Sequence, residues 1–194
     1  MKLLYQGAEA KIWLKEEPPS GSPSSAPSVS VIKDRVPKAY RLPELDSRLR
    51  LQRTRSEVRM LSAARRAGIH APAVLSSPSG DSIIEMEFIS GERLRDCLSE
   101  ANARRFAAEL SSMINTLHES NIIHSDLTTS NMLVSGDKLY IIDFGLSYVS
   151  RRPEDKAVDI RLESVKHGHP GRPSGDGRRD TTRLRLRSRP RAPA

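Results

Sequence analysis

Apolar residues recur along this chain in two rhythms, and the switch between them marks the elements. Residues 2–6 (KLLYQ) and 10–15 (AKIWLK) read as short strands around Gly7, Ala8 and Glu9. Strand character resumes at Val29–Lys33 (VSVIK), where β-branched residues dominate. The intervening 16–30 stretch is rich in Pro and Ser and has no period, so it is expected to be a flexible loop. From Leu45 to Ala67 the spacing of Leu45, Leu49, Val58 and Leu61 predicts a helix, with Gly68 as its natural stop. Ser82–Ile89 (SIIEMEFI) predicts another strand, punctuated by Ser90 and Gly91. A long helix is expected over 101–119, where Phe106, Leu110, Met113, Ile114 and Leu117 form one apolar stripe. The stretches 132–134 and 138–143 then predict a hairpin turning at Ser135-Gly136-Asp137, which would place Asp143 at a strand end. This order of elements implies an α+β fold in two layers.

Beyond Asp159 the pattern dissolves into Pro, Gly and alternating arginines, and disorder is expected there. A length of 194 residues suits one domain or a tight pair of lobes. Aromatic residues at 4% require an aliphatic core. The single cysteine, Cys97, excludes an intrachain disulfide framework and a cysteine-based zinc site, and points to a reducing compartment. No apolar run approaches the length of a membrane span, and the first residues carry no stretch suited to a signal peptide. The formal charge is +8, and all but about one unit of it falls within 161–194, so the body is nearly neutral.

The chemistry concentrates between Ile122 and Gly145. His124-Ser125-Asp126-Leu127 leads to Asn131, and Asp143-Phe144-Gly145 follows. This is H-x-D-L-x-x-x-N with D-F-G, the catalytic-loop and metal-loop signature of protein kinases and their relatives. Phosphoryl transfer needs an in-line hydroxyl, a base beside it and a divalent cation on the phosphates. Asp126 would be the base, and Asn131 and Asp143 the magnesium ligands. Either motif alone is as readily a self-capped loop or a strand-end turn. Together, at this distance, they make a coherent site. Lys33 matches the V-A-I-K lysine that steadies the α- and β-phosphates, and Glu57 is its ion-pair partner on the first helix. Taken singly, these two are an edge-strand charge and a surface i, i+4 pair.

Two features depart from ordinary kinases. The phosphate-covering turn has one glycine, in Gly7-Ala8-Glu9, and Glu9 sets a negative charge near an anion, there to pair with a lysine or help position metal. Ser125 stands where a kinase carries the arginine that receives an activation-loop phosphate, and no A-P-E follows, so switching by loop phosphorylation is not expected.

The segments QGAEAKIW, VIKDRVPKAYR, RRAGIHAP, HSDLTTSNML, IIDFGLS and PEDKAVD resemble the PRPK-type atypical serine/threonine kinase, the small kinase subunit of the KEOPS (EKC) complex. The resemblance spans most of residues 3–159. It implies a compact bilobal protein-kinase-like fold: a β-rich N-lobe over 1–90, a shortened, mainly helical C-lobe over 91–160, and a basic tail over 161–194. It implies ATP and Mg2+ as cofactors, with Gly7, Ala8, Glu9, Lys33 and Glu87 at the nucleotide. It also implies protein phosphorylation or ATP hydrolysis serving threonylcarbamoyladenosine modification of tRNA. The partners implied are the threonylcarbamoyl-transferase subunit and a small regulatory subunit, in cytoplasm and nucleus. Asp159 resembles the aspartate that bonds back to the catalytic loop, and a helix N-cap is the alternative. Family members carry glycine at Ser125.

Two other readings stand beside this one: a pseudokinase scaffold, and a small-molecule phosphotransferase. The basic tail is expected to contact tRNA phosphates, or else to be a solvated charge run or nuclear-import signal. Where the family continues with apolar helices after AVD, this chain has residues of little burial potential. Exposed apolar surface costs about 25 cal/mol per Å2, so the chain alone is expected to be of low stability. Thermal unfolding by circular dichroism checks this: no cooperative transition is expected above about 50 °C, in the lower part of the usual range, and one above it contradicts the expectation.

Overall fold

Near the start of the chain, alternating branched and charged residues fold as antiparallel strands β1 (Lys2–Gln6), β2 (Ala10–Glu17) and β3 (Ser28–Arg35). The structure, a computed structural model, describes residues 1–18, 28–157 and 159. Two later strands, β4 (Val74–Ser76) and β5 (Ile83–Glu87), complete a five-stranded sheet in the order β1-β2-β3-β5-β4. β3 is central, with Lys33 opposite Ile12 on one side and Ile84 on the other. It runs two residues past Lys33, which was expected to end it. Side chains two apart share a face of a strand, so Lys33 and Arg35 point the same way, and both are buried. The 16–30 loop is shorter than expected. Glu16 and Glu17 lie in β2, and Glu17 pairs with Ser28, while 19–27 fall outside the described residues.

Helix α1 (Pro43–Arg66) begins with proline, whose fixed φ suits the first helical position. Its first turn carries Glu44 and Asp46 and its last Arg65 and Arg66, which complements the helix dipole. At its end Gly68 has φ +93°, Gly68 N–H reaches the Arg65 carbonyl, and Ile69 N–H reaches that of Ala64, each at 3.0 Å. This is the left-handed glycine stop that the sequence announces. The inward face differs from the expected Leu45, Leu49, Val58 and Leu61. Buried are Asp46, Thr54, Glu57, Met60, Leu61 and Ala64, whereas Leu45 is exposed. The reason is that the first half of α1 covers a polar interior. Asp46 accepts from Arg50 Nε at 2.7 Å, and Thr54 donates to the Arg50 carbonyl at 2.8 Å. Only the second half packs on apolar neighbours.

After the sheet come the short strand β6 (Glu92–Arg93), helix α2 (Leu94–Cys97) and helix α3 (Glu100–Glu119). Ser99 and Asn102 cap α3 reciprocally, and its expected stripe of Phe106, Leu110, Met113, Ile114 and Leu117 is buried throughout. Strand β7 (Ile122–Ile123), a 3-10 turn at Thr129–Asn131, and strands β8 (Met132–Ser135), β9 (Lys138–Ile141) and β10 (Tyr148–Val149) follow. β8 and β9 form the expected hairpin, joined by β6 on its other edge, and β10 pairs with β7. β9 stops at Ile141, so Asp143 lies in the loop beyond it and not at a strand end. Leu61 and Ala64 of α1 belong to the same apolar cluster as Leu117, Leu127, Met132, Leu139, Ile141 and Phe144. One continuous core therefore ties the sheet's helix to the helical half, and Ile141 N–H reinforces it by bonding the His70 carbonyl at 2.9 Å.

Residues 153–157 are helical. The expectations for 160–194 lie outside the described residues. Among those described, no helix is long and apolar enough to cross a membrane.

His124 is fully buried, with its ring edge-on to Phe144 at 4.8 Å between centroids. Its Nδ1 accepts the Asp126 N–H at 3.3 Å, and its Nε2 faces the Ile142 carbonyl at 3.3 Å. One nitrogen accepts and the other donates, which is the neutral ring. Burial pushes its pKa below the ordinary 6.5, against the pull of Asp159, Asp143 and Asp126. The unfolded chain thus takes up a proton near 6.5 that the folded one refuses until lower pH. His124's contribution is complete above that pH and is lost below it, by up to about 1.4 kcal/mol per pH unit. Urea unfolding at pH 7.5 and 5.5 should show this loss in the wild type and a smaller one in His124→Asn; equal losses would contradict it.

Candidate active site

Lys33 is where the separate parts of the chain meet. Its Nζ donates to Glu57 Oε1 and to Asp143 Oδ1, each at 2.6 Å. Glu57 comes from α1, Asp143 from the loop after β9, and Lys33 from the middle of β3. The Glu57 side chain is 1% exposed and that of Asp143 49%, so one arm of this cluster is sealed and the other open. Burial alone would lower the Lys33 pKa, but the charges of Glu57 and Asp143 outweigh it and hold the ammonium above its usual range. For Asp143, burial pushes upward, and Lys33 overrides it to keep the carboxyl below the usual carboxylate range. Asp143 sits at φ +63°, a left-handed conformation for a residue with a side chain. The Lys33 contact and the Gly145 N–H, 3.2 Å from Oδ1, hold it there.

A fourth charge joins them. Arg35 Nη2 donates to Glu57 Oε2 at 2.6 Å, so each oxygen of that carboxylate has its own cation. Glycine at 145 makes room for this. A Cβ there would stand 3.0 Å from both Arg35 Nη2 and Asp143 Oδ1.

The catalytic loop forms a second constellation. Asn131 Nδ2 donates to the Asp126 carbonyl at 3.0 Å and to Asp126 Oδ2 at 2.8 Å. Both amide hydrogens are thereby spent on Asp126, and the amide oxygen is what Asn131 has left to offer a cation. That oxygen and the Asp143 carboxylate are hard donors of the kind a small divalent cation takes. The Ile142 N–H, beside Asp143, bonds the Asn131 carbonyl at 2.9 Å, which keeps the loops that carry Asn131 and Asp143 adjacent.

Ser125 has φ +66°, a conformation that glycine adopts freely and serine resists. Asp159 holds it there. Oδ1 accepts the Ser125 N–H at 2.8 Å, and Oδ2 accepts the His124 N–H at 3.0 Å and lies 3.1 Å from His118 Nε2. Ser147 Oγ closes the other side by donating to the His124 carbonyl at 3.1 Å. Asp159 therefore anchors the 124–131 loop.

The remaining expected residues are placed elsewhere. Gly7 N–H closes the β1–β2 turn on the Ala10 carbonyl at 3.0 Å, and Lys38 Nζ bonds the Ala8 carbonyl. Glu9 pairs with Arg53 of α1 at 2.5 Å, so its partner is an arginine, and its carboxylate is drawn toward α1. Glu87, at the end of β5, accepts from Ala73 N–H at 3.1 Å and Arg65 Nη1 at 3.4 Å, which commits its side chain to the loop after α1. Lys33, Glu57 and Asp143 are thus brought together, as are Asp126 and Asn131. Sequence reasoning assigned no role to Arg35, Arg53 or His124. The two-residue spacing from Lys33 was the available signal for Arg35, once the strand was known to continue.

Comparison with known proteins identifies the family. A family model described as RIO domain matches residues 35–158. The KEOPS complex subunit Bud32 of Pyrococcus abyssi is 41% identical over 165 residues, covering 84% of this chain and 74% of that one. A probable serine/threonine-protein kinase BUD32 homolog of Archaeoglobus fulgidus is 38% identical over 165 residues, with 84% and 75% covered. A probable bifunctional tRNA threonylcarbamoyladenosine biosynthesis protein of Methanosarcina mazei is 37% identical over 161 residues, but the match takes in only 27% of its length. Among solved structures, the Rio2 kinase–ADP/Mg2+–phosphoaspartate complex from Chaetomium thermophilum superposes with a TM-score of 0.63 at 18% identity, over 82% of this chain and 51% of that one. That likeness establishes a protein-kinase-like fold. The relatives matched at 38% and 41% identity along most of both chains narrow it further: the chain belongs to the RIO domain family, within its Bud32/PRPK-type branch.

Proposed function

We propose that this chain is an ATP-dependent serine/threonine kinase and ATPase that works as a subunit of a KEOPS-type complex supporting threonylcarbamoyladenosine modification of tRNA. The names of its relatives support the setting. The observation that carries the chemistry is the meeting of Lys33, Glu57 and Asp143 next to a loop in which Asn131 grips Asp126. In this reading 1–90 and 91–160 act as the two lobes, the partners are the transferase and small regulatory subunits, and the basic tail contacts tRNA.

Asp126 is held in one orientation by Asn131 and accepts the proton of the attacking hydroxyl, from serine, threonine or water. Lys33 exchanges Asp143 for the α- and β-phosphates and keeps Glu57, because only the Asp143 arm is open to solvent. The Asn131 amide oxygen and the Asp143 carboxylate, once Lys33 has released it, are the groups that would hold magnesium, which would supply charge neutralisation for the phosphate oxygens. The backbone of Gly7 and Ala8 covers the phosphates, and Arg53 keeps Glu9 from repelling them. The backbone of Glu87 serves the nucleotide, since its carboxylate is engaged elsewhere. With Ser125 in place of an arginine, no activating phosphate is awaited.

Turnover of radiolabelled ATP by the full chain tests the reading. The wild type should hydrolyse ATP with magnesium and stop on addition of EDTA. Asp126→Ala should fall by about 10^2-fold or more, the usual range for a general base, while still binding nucleotide. Equal turnover in both proteins would refute the role of Asp126, and a wild type without turnover would favour the scaffold reading.

A further inference from the structure

A second buried cation stands beside Lys33, and the phosphotransfer steps set out above make no use of it. Arg35 is 4% exposed. Its backbone is fixed from both sides, N–H to the Ser82 carbonyl at 3.1 Å and carbonyl to Arg50 Nη1 at 3.2 Å. Its Nη2 lies 2.6 Å from Glu57 Oε2, and its Nε is buried with no hydrogen-bond partner. Burying a guanidinium is costly, and an apolar side chain of similar volume commonly serves stability as well or better. Filling the interior therefore does not account for an arginine at this position.

Its geometry does. Glu57 has two oxygens, and a lone Lys33 would leave one of them unpaired or draw both to itself. With Arg35 on Oε2, only Oε1 faces Lys33. Arg35 also runs from the central strand to α1, so it pins the helix that carries Glu57. We propose that Arg35 is a positioning residue for Lys33: it fixes Glu57 and α1 so that the Lys33–Glu57 pair stands formed without an activating event. The claim rests on the phosphotransfer reading for its kinetic consequence, and on geometry alone for the pinning of α1.

The test is steady-state ATP hydrolysis with magnesium by the full chain, for wild type, Arg35→Gln, Arg35→Lys, Glu57→Gln and the Arg35→Gln/Glu57→Gln double variant, each with its denaturant midpoint. Arg35→Gln should lower kcat about tenfold or more and leave KM for ATP within about threefold, because the loss falls on alignment in the transition state. Arg35→Lys should recover most of the loss. Adding Arg35→Gln to Glu57→Gln should cost nothing further, since Arg35 acts through Glu57. Wild-type kcat in Arg35→Gln, or the same fold-loss in both backgrounds, would overturn the proposal. Should Arg35→Gln fail to fold, Arg35→Met, which fills the space without charge, takes its place in the same cycle. If the wild type itself turns over no ATP, the phosphotransfer reading falls, and amide exchange decides the pinning. Faster exchange over 54–61 with 110–117 unchanged would uphold it, and unchanged exchange at 54–61 would end it.

Discussion

A buried ammonium cannot stay charged without partners, and Lys33 imposes that constraint on the whole molecule. Its two partners come from a helix and from a loop near the opposite end of the described chain, and both must arrive for the charge to be tolerated. Removing one partner of a sealed pair such as Lys33–Glu57 typically costs about 3–5 kcal/mol, against a domain stability of about 5–15 kcal/mol. The sheet, α1 and the D-F-G loop are thus bound into one arrangement by electrostatics as well as by the shared apolar core. The cluster is asymmetric. Glu57 is sealed and shared with Arg35, while Asp143 is half exposed. In the proposed function, the arm that opens for a nucleotide is the one that water already reaches.

The catalytic loop is held by a different principle. Ser125 and Asp143 both adopt left-handed backbone conformations, which cost about 1–3 kcal/mol each and persist only where the surroundings over-determine them. Asp159 supplies that for Ser125 through two backbone N–H groups, and Lys33 with Gly145 supplies it for Asp143. His124 joins the two, accepting from the Asp126 backbone on one nitrogen and facing the Ile142 carbonyl with the other. Its neutrality is part of the design, since a protonated ring would lose the acceptor that Asp126 N–H uses.

Much of this was legible in the residues. The H-x-D-L-x-x-x-N and D-F-G spacing located Asp126, Asn131 and Asp143, and the apolar stripe of α3 placed the helix ahead of them to within a residue or two. The inward face of α1 was not legible. Periodicity finds apolar faces, and this helix turns Asp46, Thr54 and Glu57 inward because Arg50 pairs with Asp46, the Arg50 carbonyl accepts from Thr54, and Lys33 and Arg35 pair with Glu57. Strand ends were missed for a related reason. β3 continues through Asp34 and Arg35 because β2 and β5 supply its hydrogen bonds, and β9 ends early because Asp143 must turn. The short strands β4, β6, β7 and β10 have too few residues to show a period. Glu87 illustrates the limit of carrying a role over by position. Its place on this strand was readable, though the strand was expected to run on to Ile89, and the commitment of its carboxylate to Ala73 and Arg65 depends on a loop 14 residues earlier.

The central claim is that Lys33 and Asp143 are held together only until a nucleotide and its cation separate them. A crystal structure with a non-hydrolysable ATP analogue and magnesium tests it most directly. The account predicts Lys33 on the α- and β-phosphates with its Glu57 bond intact, a cation between the Asn131 oxygen and Asp143, and Asp126 facing the terminal phosphate. A bound nucleotide with Lys33 still joined to Asp143, and no cation against Asn131, would contradict it.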